Sequence, residues 1–165
     1  MKGKKTDLSA AECAISRTLN VVGDWWSMLI VRDAMAGSQR FGEFQSNLGL
    51  AKNILSARLK KLVDDGIFVQ EPDEVTPSFN RYVLTSRGRQ LSVVLVALWQ
   101  WGEECCFADG ELAWDLIDQT RGHTLQKLQL RSTSGRVIDP ESFELGRKPR
   151  VSPPASGKSS RRHQK

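Results

Sequence analysis

The stretch "AKNILSARLKKLVDDG", residues 51–66, decides how the rest of the chain is read. Leu55, Leu59 and Leu62 recur at i, i+4 and i+7, the spacing of one buried helical face, and Val63 flanks them. At about 100° per residue, the opposite face holds Asn53, Ala57 and Lys60, with Ser56 and Lys61 at its margins and Lys52 at its start. Gly66 supplies the stop, since glycine accepts the left-handed conformation that ends helices. Two readings of the outer face are open. It is either a solvated surface, which Lys and Asn fill by default, or a binding face.

The neighbouring segments narrow the choice. Upstream, "AECAISRTLNVV" (11–22) places Cys13, Ile15, Leu19 and Val22 near helical spacing. Asp24 is placed to cap "WWSMLIVRDAM" (25–35), dense enough in apolar residues for a central buried helix that ends at Gly37. "RFGEF" (40–44) leads into a short helix carrying Phe41, Phe44 and Leu48, closed by Gly49. Downstream, "IFVQEPDE" (67–74) and "NRYVLTS" (80–86) read as strands of a ribbon. Their polar connection is too long for a tight hairpin and predicts a floppy tip. A long helix follows in "RGRQLSVVLVALWQWGEECC" (87–106). Leu91, Val94, Leu95, Leu98 and Trp101 follow helical spacing, and Val93, Val96, Ala97 and Trp99 widen the apolar arc past one face. Such a helix is buried from two sides, one by its own domain and one by a partner. Around Leu125, Leu128 and Leu130 the alternation predicts short strands.

Helix, helix, short helix, helix, β-ribbon is the order of a winged helix-turn-helix, a mainly α fold with a small β-ribbon (α+β) and here a long C-terminal dimerisation helix. In that arrangement the helix before the ribbon enters the DNA major groove. Lys52, Asn53, Ser56, Lys60 and Lys61 then face bases or phosphates, whose donors and acceptors match amides, hydroxyls and ammonium groups.

Composition sets the outer bounds. The 165 residues suffice for one ordinary domain plus extensions. The sequence has no apolar run of membrane-spanning length, and its first residues lack the apolar core of a secretory signal, so a cytoplasmic location and no membrane partner are expected. The net charge is +5, but residues 146–165 hold seven Lys or Arg and no acid, which leaves 17 basic against 19 acidic residues in the body. A DNA-binding reading therefore has to rest on local patches rather than on the pI. Cys13, Cys105 and Cys106 form no disulfide framework and no zinc-ligand spacing, while His123 and His163 stand alone. No metal and no cofactor are expected. Nor is an enzyme, because no nucleophile–base pair or phosphate-cradling glycine loop is present.

Several spaced motifs resemble the HxlR-type transcriptional regulators. They are the early Cys13, Gly23-Asp24-Trp25, the run from Leu29 to Asp33, Gly37 with Arg40-Phe41 and Glu43-Phe44, and the Leu55–Arg58–Leu59–Leu62–Gly66 series. Tyr82, Leu84-Thr85 and Gly88 extend the match, and Trp101-Gly102 completes it. The resemblance covers Cys13 to Gly102. It implies a homodimeric, cytoplasmic, prokaryotic regulator of transcription that binds double-stranded DNA and has no catalytic activity. The alternative from another class is a winged-helix protein-interaction module without sequence-specific DNA binding.

Carried over by position, Arg40 is either a phosphate anchor or an exposed solubilising residue, and Phe41 belongs to the core. Arg58 lies nearer the core stripe, where an ion pair with an acid of the first two helices competes with DNA contact. The chain departs from the family pattern at Ala14, where Pro is usual, and at Ala51, where a Ser would cap the helix. The wing tip is acidic, with Glu71, Asp73 and Glu74, so phosphate contact is expected at Arg81 instead. Arg131 and Ser134 stand where longer relatives carry ribbon cysteines, which implies a ribbon without metal. In some members an N-terminal cysteine senses oxidants or electrophiles. Cys13 is thus either a redox or electrophile sensor, paired with Cys105 or Cys106 and activated by Arg17, or a small half-buried apolar residue. Ile15 and Leu19 join Leu91, Val94, Leu95, Leu98 and Trp101 as the expected dimerisation residues. The expected organisation is a DNA-binding and dimerisation domain over 1–107, an accessory segment over 108–145 and a disordered basic tail over 146–165.

Overall fold

The computed structural model describes residues 7–146. Its elements are α1 (Ala14–Val22), α2 (Trp25–Met35), α3 (Phe41–Leu48), α4 (Lys52–Asp64), β1 (Phe68–Pro72), β2 (Asn80–Leu84), α5 (Ser86–Arg89) and α6 (Ser92–Cys106). Two compact units divide the chain after Leu128, and every one of these elements lies in the first.

The leucine stripe of α4 forms the floor of the core. Leu55, Leu59 and Leu62 are fully buried, as are Ile30 and Val31 of α2 and Phe44 of α3. Burial on this scale is worth roughly 2 kcal/mol per side chain before entropy is subtracted. Asp24 starts α2 as expected, its carboxylate accepting from the Ser27 amide at 3.0 Å and the Ser27 hydroxyl at 2.6 Å. Gly49 closes α3 at φ +63° and turns the chain into α4, which begins at Ala51 without a side-chain cap.

β1 and β2 pair antiparallel from Phe68↔Leu84 to Pro72↔Asn80. The Tyr82 amide also donates to the Gln39 carbonyl at 2.7 Å, and Arg40 bridges Arg81, so the residues before α3 line the outer edge of the ribbon. Phe44, Phe68 and Tyr82 meet edge to face, with centroids 6.3–6.4 Å apart, and lock the ribbon onto α3. The architecture is a winged helix-turn-helix.

Three expectations change. The wing tip is tied down rather than floppy. Asp73 is nearly buried and accepts from the Val75 and Thr76 amides at 3.0 and 2.9 Å, while its own amide donates to Phe79 across the tip. The helix expected over 87–106 is interrupted at Gln90–Leu91, because α5 is pinned to the start of β1. Thr85 caps it through Gly88 and donates to the Gly66 carbonyl, and the Leu91 amide reaches only three residues back, to Gly88. Among the described residues after 107, the expected strands are reduced to the isolated bridges Ile117↔Thr124 and Arg131↔Val137, with Leu125, Leu128 and Leu130 left exposed. Alternating hydrophobicity makes a strand only where a neighbouring strand pairs with it. The bridge in the second unit closes a turn over Ser132–Arg136, with Gly135 at φ +82°. Residues 147–165 of the basic tail lie outside the described residues.

Candidate nucleic-acid interface

The first two turns of α4 present an outer surface that the other described residues leave free. Lys52, Asn53 and Ser56 are exposed, and among the described residues none of them has a hydrogen-bond or ion-pair partner. Further along, the cations are engaged. Lys60 pairs with Asp64 at 2.9 Å, but both side chains are mostly exposed. Pairs of this kind contribute only about 0.3–0.5 kcal/mol, so Lys60 exchanges partners easily. Lys61 differs. It is half-buried, donates to the Val21 carbonyl at 3.3 Å and pairs with Asp65, which holds it on the inner flank away from the outer face.

Arg40 and Arg81, the arginines weighed for phosphate contact, both form ion pairs within the chain. Arg40 meets Asp73 with two hydrogen bonds of 2.7 Å, a guanidinium fork on a carboxylate. This contact, together with the Thr76 and Val75 amides, holds the Asp73 carboxyl well below the usual carboxylate range. Arg40 thus joins the start of α3 to the wing tip. Glu43 reinforces the junction by accepting from the Arg40 and Gln39 amides at 2.9 and 2.7 Å, bonds that also lower its own pKa. Arg81 sits between Glu71 at 3.1 Å and Glu74 at 2.7 Å. One cation between two carboxylates leaves a local negative charge, which opposes a phosphate, and in the single chain Arg81 is bonded within the wing.

Arg58 resolves toward the ion pair. Its Nε lies 3.1 Å from Asp24, the residue that caps α2, so one carboxylate ties α4 to the start of α2. Sequence reasoning counted Asp73 only as a repulsive acid, because its partner lies 33 residues away. It also passed over Ile54, exposed at 40% on the third residue of α4 and off the leucine stripe.

The remaining candidates fall into two sets. Leu91 and Leu95, expected at a dimer seam, pack on this chain's own core. Val93, Val94, Leu98 and Trp101 of α6 are 40–62% exposed, as are Ile15 and Leu19 of α1 at 60% and 51%. Cys13, Cys105 and Cys106 are free and exposed, which corrects the half-buried alternative for Cys13. Hydrogen bonds from the Ser16 amide and hydroxyl and the Ile15 amide, at the first turn of α1, lower the Cys13 thiol pKa. Arg17, expected to supply that effect, instead donates to the Ala11 carbonyl. No group of three or more His, Cys, Asp or Glu with metal-holding geometry occurs among the described residues.

Comparison with known proteins also finds a helix-turn-helix. A model of HxlR-like helix-turn-helix proteins matches residues 21–109. The chain belongs to this family. HxlR-like proteins are transcriptional regulators rather than enzymes. The chain is 42% identical over 91 residues to the HTH-type transcriptional regulator Rv3095 of Mycobacterium tuberculosis, an alignment that takes in 55% of this chain and 58% of that one. The chain thus spans less than two thirds of that relative. Among solved structures, PA1607, a candidate transcription factor, is 46% identical and superposes with a TM-score of 0.81 over 87% of this chain and 100% of that one. The reduced form of the redox regulator HypR is 30% identical, with a TM-score of 0.50 over 56% of this chain and 92% of that one.

Proposed function

We propose that this HxlR-like protein is a cytoplasmic, homodimeric, sequence-specific regulator of transcription that lays α4 in the major groove of double-stranded DNA. The observation that carries the reading is the exposed, unengaged Lys52–Asn53–Ser56 surface at the N-terminal half of α4. That is the part of a recognition helix that meets base edges. In this reading Lys52 and Lys60 approach phosphates and Asn53 and Ser56 approach bases. Arg40 and Lys61 act indirectly, by fixing the wing and the helix flank. Residues 1–107 bind DNA and dimerise, 108–145 form an accessory segment with a metal-free ribbon, and 146–165 add non-specific positive charge.

The homodimer rests on Val93, Val94, Leu98 and Trp101 of α6 and Ile15 and Leu19 of α1, all exposed in the single chain. A second copy would bury the same patch on both subunits, as a two-fold axis requires. The test combines selection of bound duplexes from a random pool with light scattering of the parent and of Leu98→Arg. A palindromic site, a dimeric parent and a Leu98→Arg variant that has lost both dimer and DNA are expected. A parent that is monomeric at micromolar concentration refutes the dimer. A parent that prefers no duplex, and whose binding does not weaken with salt, leaves the protein-interaction alternative.

A second reading adds regulation through Cys13. Its exposure and lowered thiol pKa favour a reactive thiolate, and HypR is named as a redox regulator. Diamide should then release DNA from the parent and not from Cys13→Ser, with a crosslink to Cys105 or Cys106 on non-reducing gels. DNA binding unchanged by diamide would remove Cys13 from the mechanism.

A further inference from the structure

Ile54 is an aliphatic residue out of place on its helix. Every leucine of α4 is fully buried, yet Ile54 keeps 40% of its surface exposed at the third helical position. Ala57, one turn further, is also exposed, and the two extend the free surface formed by Lys52, Asn53 and Ser56. A solvated helical face gains nothing from isoleucine, whose branched side chain loses rotamer freedom in a helix, and Lys or Glu would serve it better. The fold covers part of the side chain but does not bring it into the core cluster. What remains is a short apolar strip inside a polar, unengaged surface. In the major groove the matching chemistry is the C5 methyl of thymine, the one apolar group that base edges present there.

We propose that Ile54, assisted by Ala57, reads a thymine methyl in each half-site of the bound DNA. This rests on the DNA-binding reading above and adds a base preference to it. Ile54 is then a specificity-determining residue, working by apolar contact beside the hydrogen bonds of Asn53 and Ser56.

Deoxyuridine supplies the test, since it keeps every hydrogen bond of thymidine and lacks only the methyl. The full chain is titrated against its pool-selected duplex by fluorescence anisotropy, with each thymine replaced in turn by deoxyuridine. Removing one buried methyl costs about fourfold in affinity. The parent should lose about fourfold at one thymine position per half-site and about fifteenfold when both half-sites are changed. Ile54→Ala should lose a similar factor on the thymine duplex and nothing further on the deoxyuridine duplex. A parent indifferent to every replacement overturns the proposal while leaving DNA binding intact, as does an Ile54→Ala variant that still senses the methyl. If no duplex is selected at all, the DNA-binding reading falls and the proposal with it. The deoxyuridine arm uses the parent protein, so it does not depend on how the variant folds.

Discussion

Gly88 offers a sharp test of how the wing and the α5–α6 segment are joined. A Cβ built on it would lie 2.3 Å from the Ile67 carbonyl oxygen and 2.9 Å from Leu84 Cδ2. Ordinary contact needs about 1 Å more at the oxygen, and that oxygen cannot yield easily. It accepts from the Thr85 amide at 3.0 Å, and the Thr85 hydroxyl reaches the neighbouring Gly66 carbonyl at 2.7 Å. Overpacking of this kind costs about 1–3 kcal/mol. Alanine recovers about 0.5–1 kcal/mol through its smaller backbone entropy loss in a helix. Gly88→Ala should therefore destabilise the fold by roughly 1–2 kcal/mol, which lowers a urea midpoint by about 1 M at a typical slope for a small domain. Tryptophan fluorescence at a fixed protein concentration would read this, since association shifts apparent stability. The matching control is Gly102→Ala on α6, where a Cβ meets nothing within 4 Å in the single chain. It should not destabilise the monomeric fold. A Gly88→Ala variant as stable as the parent would refute the tight α5–β1 junction.

The remaining predictions concern the DNA face and the wing. Lys60→Ala should weaken all duplexes alike and flatten the salt dependence by about one unit, whereas Asn53→Ala should cost about 1–3 kcal/mol on the selected duplex and relax preference at one or two base pairs. Equal binding by parent and both variants would mean that α4 presents another face. The pKa of Asp73 is lowered in the fold, so its stabilisation is complete above the ordinary carboxylate pKa of about 4 and fades as pH falls below it. Asp73→Asn should flatten this acid limb in equilibrium unfolding, and at neutral pH it should weaken DNA binding without changing base preference. An unchanged acid limb would show that the Arg40–Asp73 fork is not formed in solution.

Much of the fold was legible because its signals are local. The leucine spacing of α4, the Asp24 cap and the glycine stops follow from helix geometry and need only neighbouring residues. The order of elements then implied the winged helix, and the motif spacing implied the family. Dense apolar residues on α6 predicted a helix covered from two sides, and in the single chain Val93, Val94, Leu98 and Trp101 are exposed. The alternation after residue 107 was misleading, because a strand exists only where another strand pairs with it.

What the tertiary structure alone decided is which charged and apolar groups remain available. Arg40 and Asp73 lie 33 residues apart, and their spacing carries no sign that they meet. Their fork engages Arg40, read as either a phosphate anchor or a solubilising residue, and makes Asp73 the other half of one brace. Arg81 lies between Glu71 and Glu74, and Lys61 is drawn inward to the Val21 carbonyl. Leu91 and Leu95 turn to the chain's own core, while Leu98 and Trp101 stay outside. Hydrophobic periodicity is set by the geometry of one helix and can be read along the chain. Charge pairing depends on distances through space, and those exist only after the elements have packed.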